Sequence, residues 1–148
     1  MPRRVYRVCR AVHAQLDGVG ASDVGGRWNS PGRLVVYMAE SISLAVLENL
    51  VHMSKVDFPN SYVVVAADLP DSMTILTEDI FGEQATNRDL RALGDRWIDS
   101  LASAVLQVRS AVVRVEHNYL LNPAHPDFHH IIVQPPEPFQ FDTRLFAE

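Results

Sequence analysis

The sequence predicts a mixed α+β fold with a curved, largely antiparallel sheet. Predicted strands outnumber predicted helices, and the two kinds of element do not alternate regularly, as they would in a doubly wound α/β protein. No repeat, low-complexity tract or linker-like segment divides the 148 residues, a length that suits one ordinary domain. We therefore predict a single domain, residues 1–148.

The N-terminal half of the chain is predicted to contain three strands and one helix. The strands are bounded by turn residues and lie at 5–12 ("VYRVCRAV"), 33–39 ("RLVVYMA") and 61–69 ("SYVVVAADL"). Five of the seven glycines fall within 14–33, which predicts a loop there. The helix covers 41–53 ("SISLAVLENLVHM"), with Ser41 or Ser43 as its N-cap.

The C-terminal half is predicted to contain a long helix and three short strands. The helix covers 86–108, with Gly94 as a possible break. The strands are placed at 109–115, at 129–134 and at 138–142, and a turn-rich connection covers 117–128. This half therefore adds to the irregular succession of strands and helices.

Composition and charge narrow the class of protein. The chain is 47% hydrophobic with a formal net charge of -5, which is normal for a globular protein and argues against nucleic acid as the main ligand. No apolar run approaches the ~20 residues of a membrane span, and the basic N-terminus lacks the apolar segment of a secretion signal. Cys9, the only cysteine, allows neither an internal disulfide nor a cysteine-based zinc site. We expect a cytoplasmic protein that contacts neither membrane nor nucleic acid.

One carboxylate, Glu48, lies in the middle of the helix predicted at 41–53. Three of its four neighbours on a helix surface are apolar, so the carboxylate should be largely desolvated. Burial of an unpaired carboxylate is costly. Glu48 is therefore either paired structurally or held in place for chemistry. The candidate partners nearest in sequence are His52, Arg7, Arg27 and Arg33.

Three further residues have side chains suited to ligand binding. Arg27 follows two glycines and could clamp a phosphate, with a glycine-rich surface turn as the alternative. Tyr37 ends a predicted strand and could stack on a planar group or lie in the core. Ser110 lies near the start of the strand predicted at 109–115. The glycine-rich loop has neither P-loop nor GxGxxG spacing, so these residues alone identify no ligand.

The segment "HPDFHH" at 125–130 groups three histidines with one aspartate. Its spacing matches no established zinc motif, and two prolines predict a turn, so we expect no metal site. A metal-dependent enzyme that uses this segment is an alternative hypothesis, which chelation would test. No GxSxG motif supports a serine hydrolase.

Three stretches, in this order, resemble the motifs of RES-domain proteins. They are "GGRWNSPGRLVVYMAESISLAVLENLVH" at 25–52, "RSAVVRVEHNYLLNPAHPDF" at 109–128 and "PFQFDTRLF" at 138–146. The first places an arginine–tryptophan pair ahead of a strand that ends in tyrosine and a helix with one glutamate. The second joins a serine to an Asn-Pro-x-His-Pro turn. The resemblance covers nearly the whole chain and is carried least by residues 70–107.

The resemblance implies an ADP-ribosyltransferase-like fold and a bacterial toxin that acts on NAD⁺. RES-domain proteins are known to hydrolyse NAD⁺, to cleave it with phosphate, or to transfer its ADP-ribose to a protein. They are paired with an Xre-type antitoxin that has a helix-turn-helix part. The resemblance therefore implies NAD⁺ as substrate, no metal, such an antitoxin as partner and a homodimer as a possible assembly. A catalytically inactive module that binds NAD⁺ or the antitoxin is the alternative.

The resemblance also implies roles for individual residues. The family's named arginine, glutamate and serine match Arg7 or Arg27, Glu48 and Ser110, and its active-site tyrosine matches Tyr37. We therefore predict Glu48, Arg27 and Tyr37 as catalytic residues. The predicted NAD⁺-binding residues are Arg7, Arg27, Tyr37, Ser110 and Glu48. Loss of nicotinamide from NAD⁺ leaves positive charge on the ribose carbon, as in glycoside hydrolysis, and a carboxylate in a site short of water stabilises that charge. This chemistry suits Glu48, whereas arginine suits the pyrophosphate and tyrosine the nicotinamide ring.

Overall fold

The computed structural model describes residues 2–53, 61–81 and 90–146. In these segments eight strands form one curled sheet. The strands are β1 (Arg3–Arg10), β2 (Val36–Ala39), β3 (Tyr62–Leu69), β4 (Ile75–Thr77), β5 (Val105–Arg109), β6 (His117–Leu121), β7 (Ile132–Val133) and β8 (Glu137–Phe139). The sheet order is β4-β5-β6-β2-β1-β3-β7, and β8 also pairs with β3. Every described pair is antiparallel except β4–β5, so the predicted mixed fold with a largely antiparallel sheet is confirmed.

Three α-helices accompany the sheet in the described segments: α1 (Val19–Val24), α2 (Ile42–Leu50) and α3 (Leu90–Ser100). Helix α2 confirms the helix predicted at 41–53. Ser41 is its N-cap, because the Ser41 hydroxyl oxygen accepts a hydrogen bond from the Leu44 amide at 3.0 Å. None of the described helices has the length and apolar character needed to cross a membrane.

Alternation of side chains gives the sheet an apolar core on each face. On β5, Val105 belongs to one core, and the next residue, Leu106, belongs to the core that packs under α3. Leu121 and Leu120 of β6 divide in the same way. Helix α2 covers a third cluster against β1 and β2. The sheet is therefore buried on both faces over its central strands.

Strands β1 and β2 share a single register pair, Tyr6 with Ala39. In this antiparallel register Val36–Met38 of β2 would lie opposite Arg7–Cys9 of β1, but these residues do not pair, and β1 continues along β3 as far as Arg10. Helix α2 is tied to β1 in this region, because Asn49 Nδ2 donates to the Val8 carbonyl oxygen at 2.8 Å. The separation of the two strands leaves a cleft between β1, β2 and α2.

The helix predicted at 86–108 is wrong beyond Ser100. The chain leaves α3 through Leu101, whose φ of 56° is left-handed, and then forms the buried strand β5. An apolar run that is buried on both faces lacks the alternation of a half-buried strand, which is why the sequence favours helix there. Residues 86–89 of this prediction lie outside the described residues.

The strand predicted at 109–115 and the connection predicted at 117–128 are also wrong in their boundaries. Ser110 Oγ accepts hydrogen bonds from the amides of Val112 and Val113, and this side-chain turn competes with a strand. Residues 111–116 therefore form a turn, and β6 begins at His117.

Smaller differences affect the remaining elements. The loop predicted at 14–33 contains α1, and the short strand β4 had no prediction. The strand predicted at 129–134 shortens to β7, because Pro126–His130 forms a 3-10 turn before it. The edge strand predicted at 138–142 is found as β8. The strand at 61–69 is confirmed as β3.

Gly94→Ala is expected to destabilise the protein. Gly94 is buried inside α3, and an added Cβ would lie 1.7 Å from the Trp28 carbonyl oxygen. Overpacking of this kind costs about 1–3 kcal/mol, and denaturant unfolding measures the loss. The matched control is Gly20→Ala in α1, where nothing lies within 4 Å of the added Cβ and no loss is expected. An unchanged free energy of unfolding in Gly94→Ala would contradict this packing.

Candidate active site

A cleft of about 870 Å³ occupies the space that β1 and β2 leave between them. Its walls come from β1, the turn at 25–28, β2, α2 and β6. Four of the five predicted site residues line it: Arg7, Arg27, Tyr37 and Glu48. The fifth, Ser110, does not line the cleft but touches Glu48 from the protein interior. The fold therefore brings all five predicted residues to one place.

The Glu48 carboxylate is anchored by two neutral hydrogen-bond donors. Its Oε2 atom accepts from Ser110 Oγ at 2.9 Å and from Asn118 Nδ2 at 2.6 Å. The Glu48 side chain is half-buried on the cleft side of α2. Because both donors are neutral, they fix the carboxylate without cancelling its negative charge.

Ser110 positions Glu48 from the protein interior, on the side away from the cleft. The residue is 2% exposed, and its hydroxyl oxygen accepts from the amides of Val112 at 3.1 Å and Val113 at 3.0 Å. Its one hydroxyl proton is donated to Glu48. Direct contact with a ligand, which the resemblance implies for this serine, would require the hydroxyl to give up one of these bonds. In this geometry Ser110 acts through Glu48.

Tyr37 fixes the turn that carries Arg27. Its hydroxyl accepts a hydrogen bond from the Trp28 amide at 3.1 Å and donates one to Asn29 Oδ1 at 2.5 Å. Burial raises the pKa of Tyr37 to about 12, so the hydroxyl keeps its proton in the physiological range. A Cβ on Gly26 would lie 2.7 Å from the same hydroxyl oxygen, which explains the glycine at this position.

Asn29 is the centre of this turn, although the sequence signals it only by its place after the arginine–tryptophan pair. It is fully buried, and its Nδ2 donates to the carbonyl oxygens of Ala21 at 2.9 Å, Ser30 at 3.3 Å and Arg33 at 3.2 Å. Its Oδ1 accepts from the Tyr37 hydroxyl. One amide thus closes the loop on itself.

Helix α3 holds the same loop from outside the cleft. Asp95 accepts from the Ser30 amide at 2.8 Å and from the Ser30 hydroxyl at 2.6 Å. Arg33, a predicted candidate partner of Glu48, pairs instead with Asp99 at 2.8 Å and with Asp95 at 3.6 Å. That candidate pairing is wrong, because this part of the loop folds against α3.

Three arginines border the cleft. Arg27 at the turn and Arg10 at the end of β1 are exposed, and Arg7 is half-buried. The Nε atom of Arg7 is buried, and none of the described residues accepts a hydrogen bond from it. A buried donor without an acceptor is rare and costs about 1–3 kcal/mol. Arg7 Nε therefore marks a place for an acceptor that the described part of the chain does not provide.

The Asn-Pro-x-His-Pro stretch has a structural role outside the cleft. Asn122 is fully buried, donates to the Ile98 carbonyl oxygen at 3.1 Å and accepts from the Ala124 amide at 3.0 Å. His125 Nδ1 accepts from the Asp127 amide at 2.9 Å and begins the 3-10 turn. Within the described segments, no three His, Cys, Asp or Glu side chains gather as a metal-binding group.

Tyr37→Phe is expected to lower the free energy of unfolding by about 1–3 kcal/mol, because the Trp28 amide and Asn29 Oδ1 each lose a partner. Tyr62→Phe is the matched control, since Tyr62 also lines the cleft and contacts Phe141 through its ring. Its stability should stay within about 0.5 kcal/mol of the wild type. Denaturant unfolding of both variants checks this. An equal decrease in the free energy of unfolding in both variants would show that the Tyr37 hydroxyl does not hold the turn.

The RES domain family model matches residues 4–142 of the chain. Toxin Res from Pseudomonas putida is 37% identical over 140 residues, which span 92% of this chain and 96% of that protein. The Prs ADP-ribosylating toxin from Sphingobium sp. (strain YBL2) is 33% identical over 141 residues, which span 90% and 88%. The crystal structure of the M. tuberculosis MbcT–MbcA toxin–antitoxin complex shows a similar fold, with a TM-score of 0.71 and 18% identity over 100% of this chain and 91% of that chain. Motifs, fold and relatives agree, and the chain belongs to the RES domain family.

Proposed function

We propose that this chain is a bacterial toxin that cleaves the nicotinamide–ribose bond of NAD⁺. ADP-ribose passes to a protein acceptor, to water or to phosphate, and a cognate Xre-type antitoxin neutralises the toxin. Two observations on relatives support this: similar proteins are named Toxin Res and Prs ADP-ribosylating toxin, and a protein of similar fold is a toxin in complex with an antitoxin.

The observation that carries the proposal is that one cleft contains both a carboxylate and a guanidinium group, from Glu48 and Arg7. Glu48 offers a held carboxylate, and Arg7 offers a buried N–H without an acceptor among the described residues. NAD⁺ has both chemical complements, namely ribose hydroxyls beside a bond that develops positive charge and an anionic pyrophosphate. Guanidinium groups bind phosphate oxygens well, and Arg27 at the rim supplies a second one.

The proposed reaction breaks the bond between the ribose carbon and the pyridine nitrogen. The bonding electron pair leaves with nicotinamide, which becomes neutral, and the ribose becomes positively charged as in a glycosidase transition state. The Glu48 carboxylate stabilises this charge at short range in a site that is partly shielded from water. An oxygen of the acceptor then bonds to the ribose carbon and releases its proton.

The cleft mouth supports a protein partner. Val24 and Val51 line the cleft and are 76% and 58% exposed, so two apolar side chains lie at the rim together with Arg27. Exposed apolar side chains at a cleft mouth are common in protein-binding surfaces. An antitoxin seated on this rim would block entry of NAD⁺.

Product analysis tests the proposed function. The purified chain is incubated with NAD⁺, with and without phosphate and with and without cell extract, and the products are followed by mass spectrometry. Free ADP-ribose would identify a hydrolase, phosphorylated ADP-ribose a phosphorylase, and a modified protein a transferase. Absence of NAD⁺ loss under all conditions, in folded protein free of antitoxin, would contradict the enzyme and favour the inactive binding module.

Glu48→Gln is expected to lower nicotinamide release by about 100-fold or more, because the charge that stabilises the ribose cation is lost. The glutamine carbonyl can still accept from Ser110 and Asn118, so the fold should survive. Glu40→Gln, two residues before the same helix and outside the cleft lining, is the matched control, because the glutamine carbonyl can still accept from the His117 amide. Its nicotinamide release should stay within about twofold of the wild type. Full turnover by folded Glu48→Gln protein would contradict this role.

Arg7→Gln is expected to raise the KM for NAD⁺ by about 10- to 100-fold, because a charge-assisted hydrogen bond to phosphate is lost. Arg4→Gln removes a charge from the same strand, but Arg4 pairs with Asp68 at 2.7 Å away from the cleft. Steady-state kinetics of both variants separate a local contact from the general loss of positive charge. Equal KM values in the two variants would exclude a direct contact between Arg7 and NAD⁺.

A further inference from the structure

Asn118 lines the cleft, and the two polar atoms of its carboxamide have different surroundings. Its carboxamide lies on β6 beside Glu48, with 2.6 Å between Asn118 Nδ2 and Glu48 Oε2. An ionised carboxylate only accepts hydrogen bonds, so the atom that faces it is the amide nitrogen, and the orientation of the carboxamide is fixed by chemistry. The Oδ1 atom of Asn118 therefore points away from Glu48.

The Oδ1 atom is buried, and none of the described residues donates a hydrogen bond to it. Buried polar side-chain atoms nearly always have a partner. The fully buried amides of Asn29 and Asn122 follow that rule, since the oxygen and nitrogen of each are bonded to protein groups. Asn118 Oδ1 and Arg7 Nε are the exceptions among the described side chains, and both residues line the same cleft.

The two exceptions are complementary. Arg7 Nε is a donor that lacks an acceptor, and Asn118 Oδ1 is an acceptor that lacks a donor. A ligand that fills both must carry a hydrogen-bond acceptor, for which a guanidinium favours an anion, and an O–H or N–H donor close to the position of Glu48. The nicotinamide-riboside half of NAD⁺ has donors of this kind in its ribose hydroxyls and its carboxamide.

We propose that Asn118 is a substrate-binding residue whose Oδ1 accepts a hydrogen bond from the nicotinamide-riboside half of NAD⁺, while its Nδ2 holds the Glu48 carboxylate. This inference rests on the proposed function. One amide then fixes the reacting ribose and the carboxylate relative to each other. Ser110 differs, because its hydroxyl is used entirely within the protein.

Substrate analogues test the contact. The kcat/KM is measured for NAD⁺, for the 3-acetylpyridine analogue, in which a methyl group replaces the carboxamide nitrogen, and for analogues that lack one ribose hydroxyl. The kcat/KM for NAD⁺ is divided by the kcat/KM for each analogue, and this ratio is compared between wild type, Asn118→Leu and Ser110→Ala. Comparison of ratios cancels the intrinsic reactivity of each analogue, as in a double-mutant cycle.

For one analogue, the ratio of kcat/KM for NAD⁺ to kcat/KM for the analogue should be about tenfold lower in Asn118→Leu than in the wild type. The same ratio should be unchanged in Ser110→Ala. That analogue identifies the donor as carboxamide N–H or ribose O–H. Both substitutions remove a hydrogen bond to Glu48, but only Asn118→Leu also removes the proposed acceptor for the substrate. Ratios that are the same in wild type and Asn118→Leu for every analogue would overturn the proposal.

If Asn118→Leu turns over too slowly, the same comparison uses dissociation constants from calorimetry. Asn118→Leu is then compared with the slow variant Glu48→Gln, which keeps the Asn118 amide. Failure of the proposed function is a separate outcome, because wild-type protein would then leave NAD⁺ intact, whether or not it binds it. Wild-type turnover with unchanged analogue ratios overturns only the role of Asn118.

Discussion

The site depends on the separation of β1 from β2 after a single register pair. Antiparallel pairing would place Val36–Met38 of β2 opposite Arg7–Cys9 of β1, but these residues do not pair, whereas β1 keeps β3 as its partner along its full length. Helix α2 packs against β1 here, and Asn49 holds the two together through the Val8 carbonyl oxygen. The helix brings Glu48 to the cleft from one side, and β1 brings Arg7 from another. Continued pairing of β1 with β2 would close this space.

The way in which Glu48 is held suits the proposed chemistry. An arginine in direct contact would stabilise the carboxylate but would also neutralise it, whereas the hydroxyl of Ser110 and the amide of Asn118 stabilise it and leave its charge available. The turn that carries Arg27 is held separately, by the Tyr37 hydroxyl on one side and by Asp95 of α3 on the other. The Arg27 turn and the Glu48 carboxylate are thus held by different elements of the fold.

The sequence predicts the parts of this site that depend on local pattern. The helix around Glu48 and its cap were predictable because apolar spacing and a capping serine are local signals. The turn after Ser110 was not predictable. Its valines favour a strand, and only the hydrogen bonds from their amides to the Ser110 hydroxyl oxygen stabilise the turn. Strand β5 was missed because burial on both faces removes alternation. Asn29 and Asn118 gain their roles only from contacts that the fold creates across long stretches of sequence.

A crystal structure of the Glu48→Gln protein with NAD⁺ would show directly where the substrate binds, because this variant should bind the substrate and turn it over slowly. We expect the nicotinamide ribose between the side chain of residue 48 and Asn118, with the pyrophosphate within hydrogen-bond distance of Arg7 Nε. A dinucleotide bound elsewhere on the protein, or bound in the cleft with Arg7 Nε still lacking an acceptor, would contradict it.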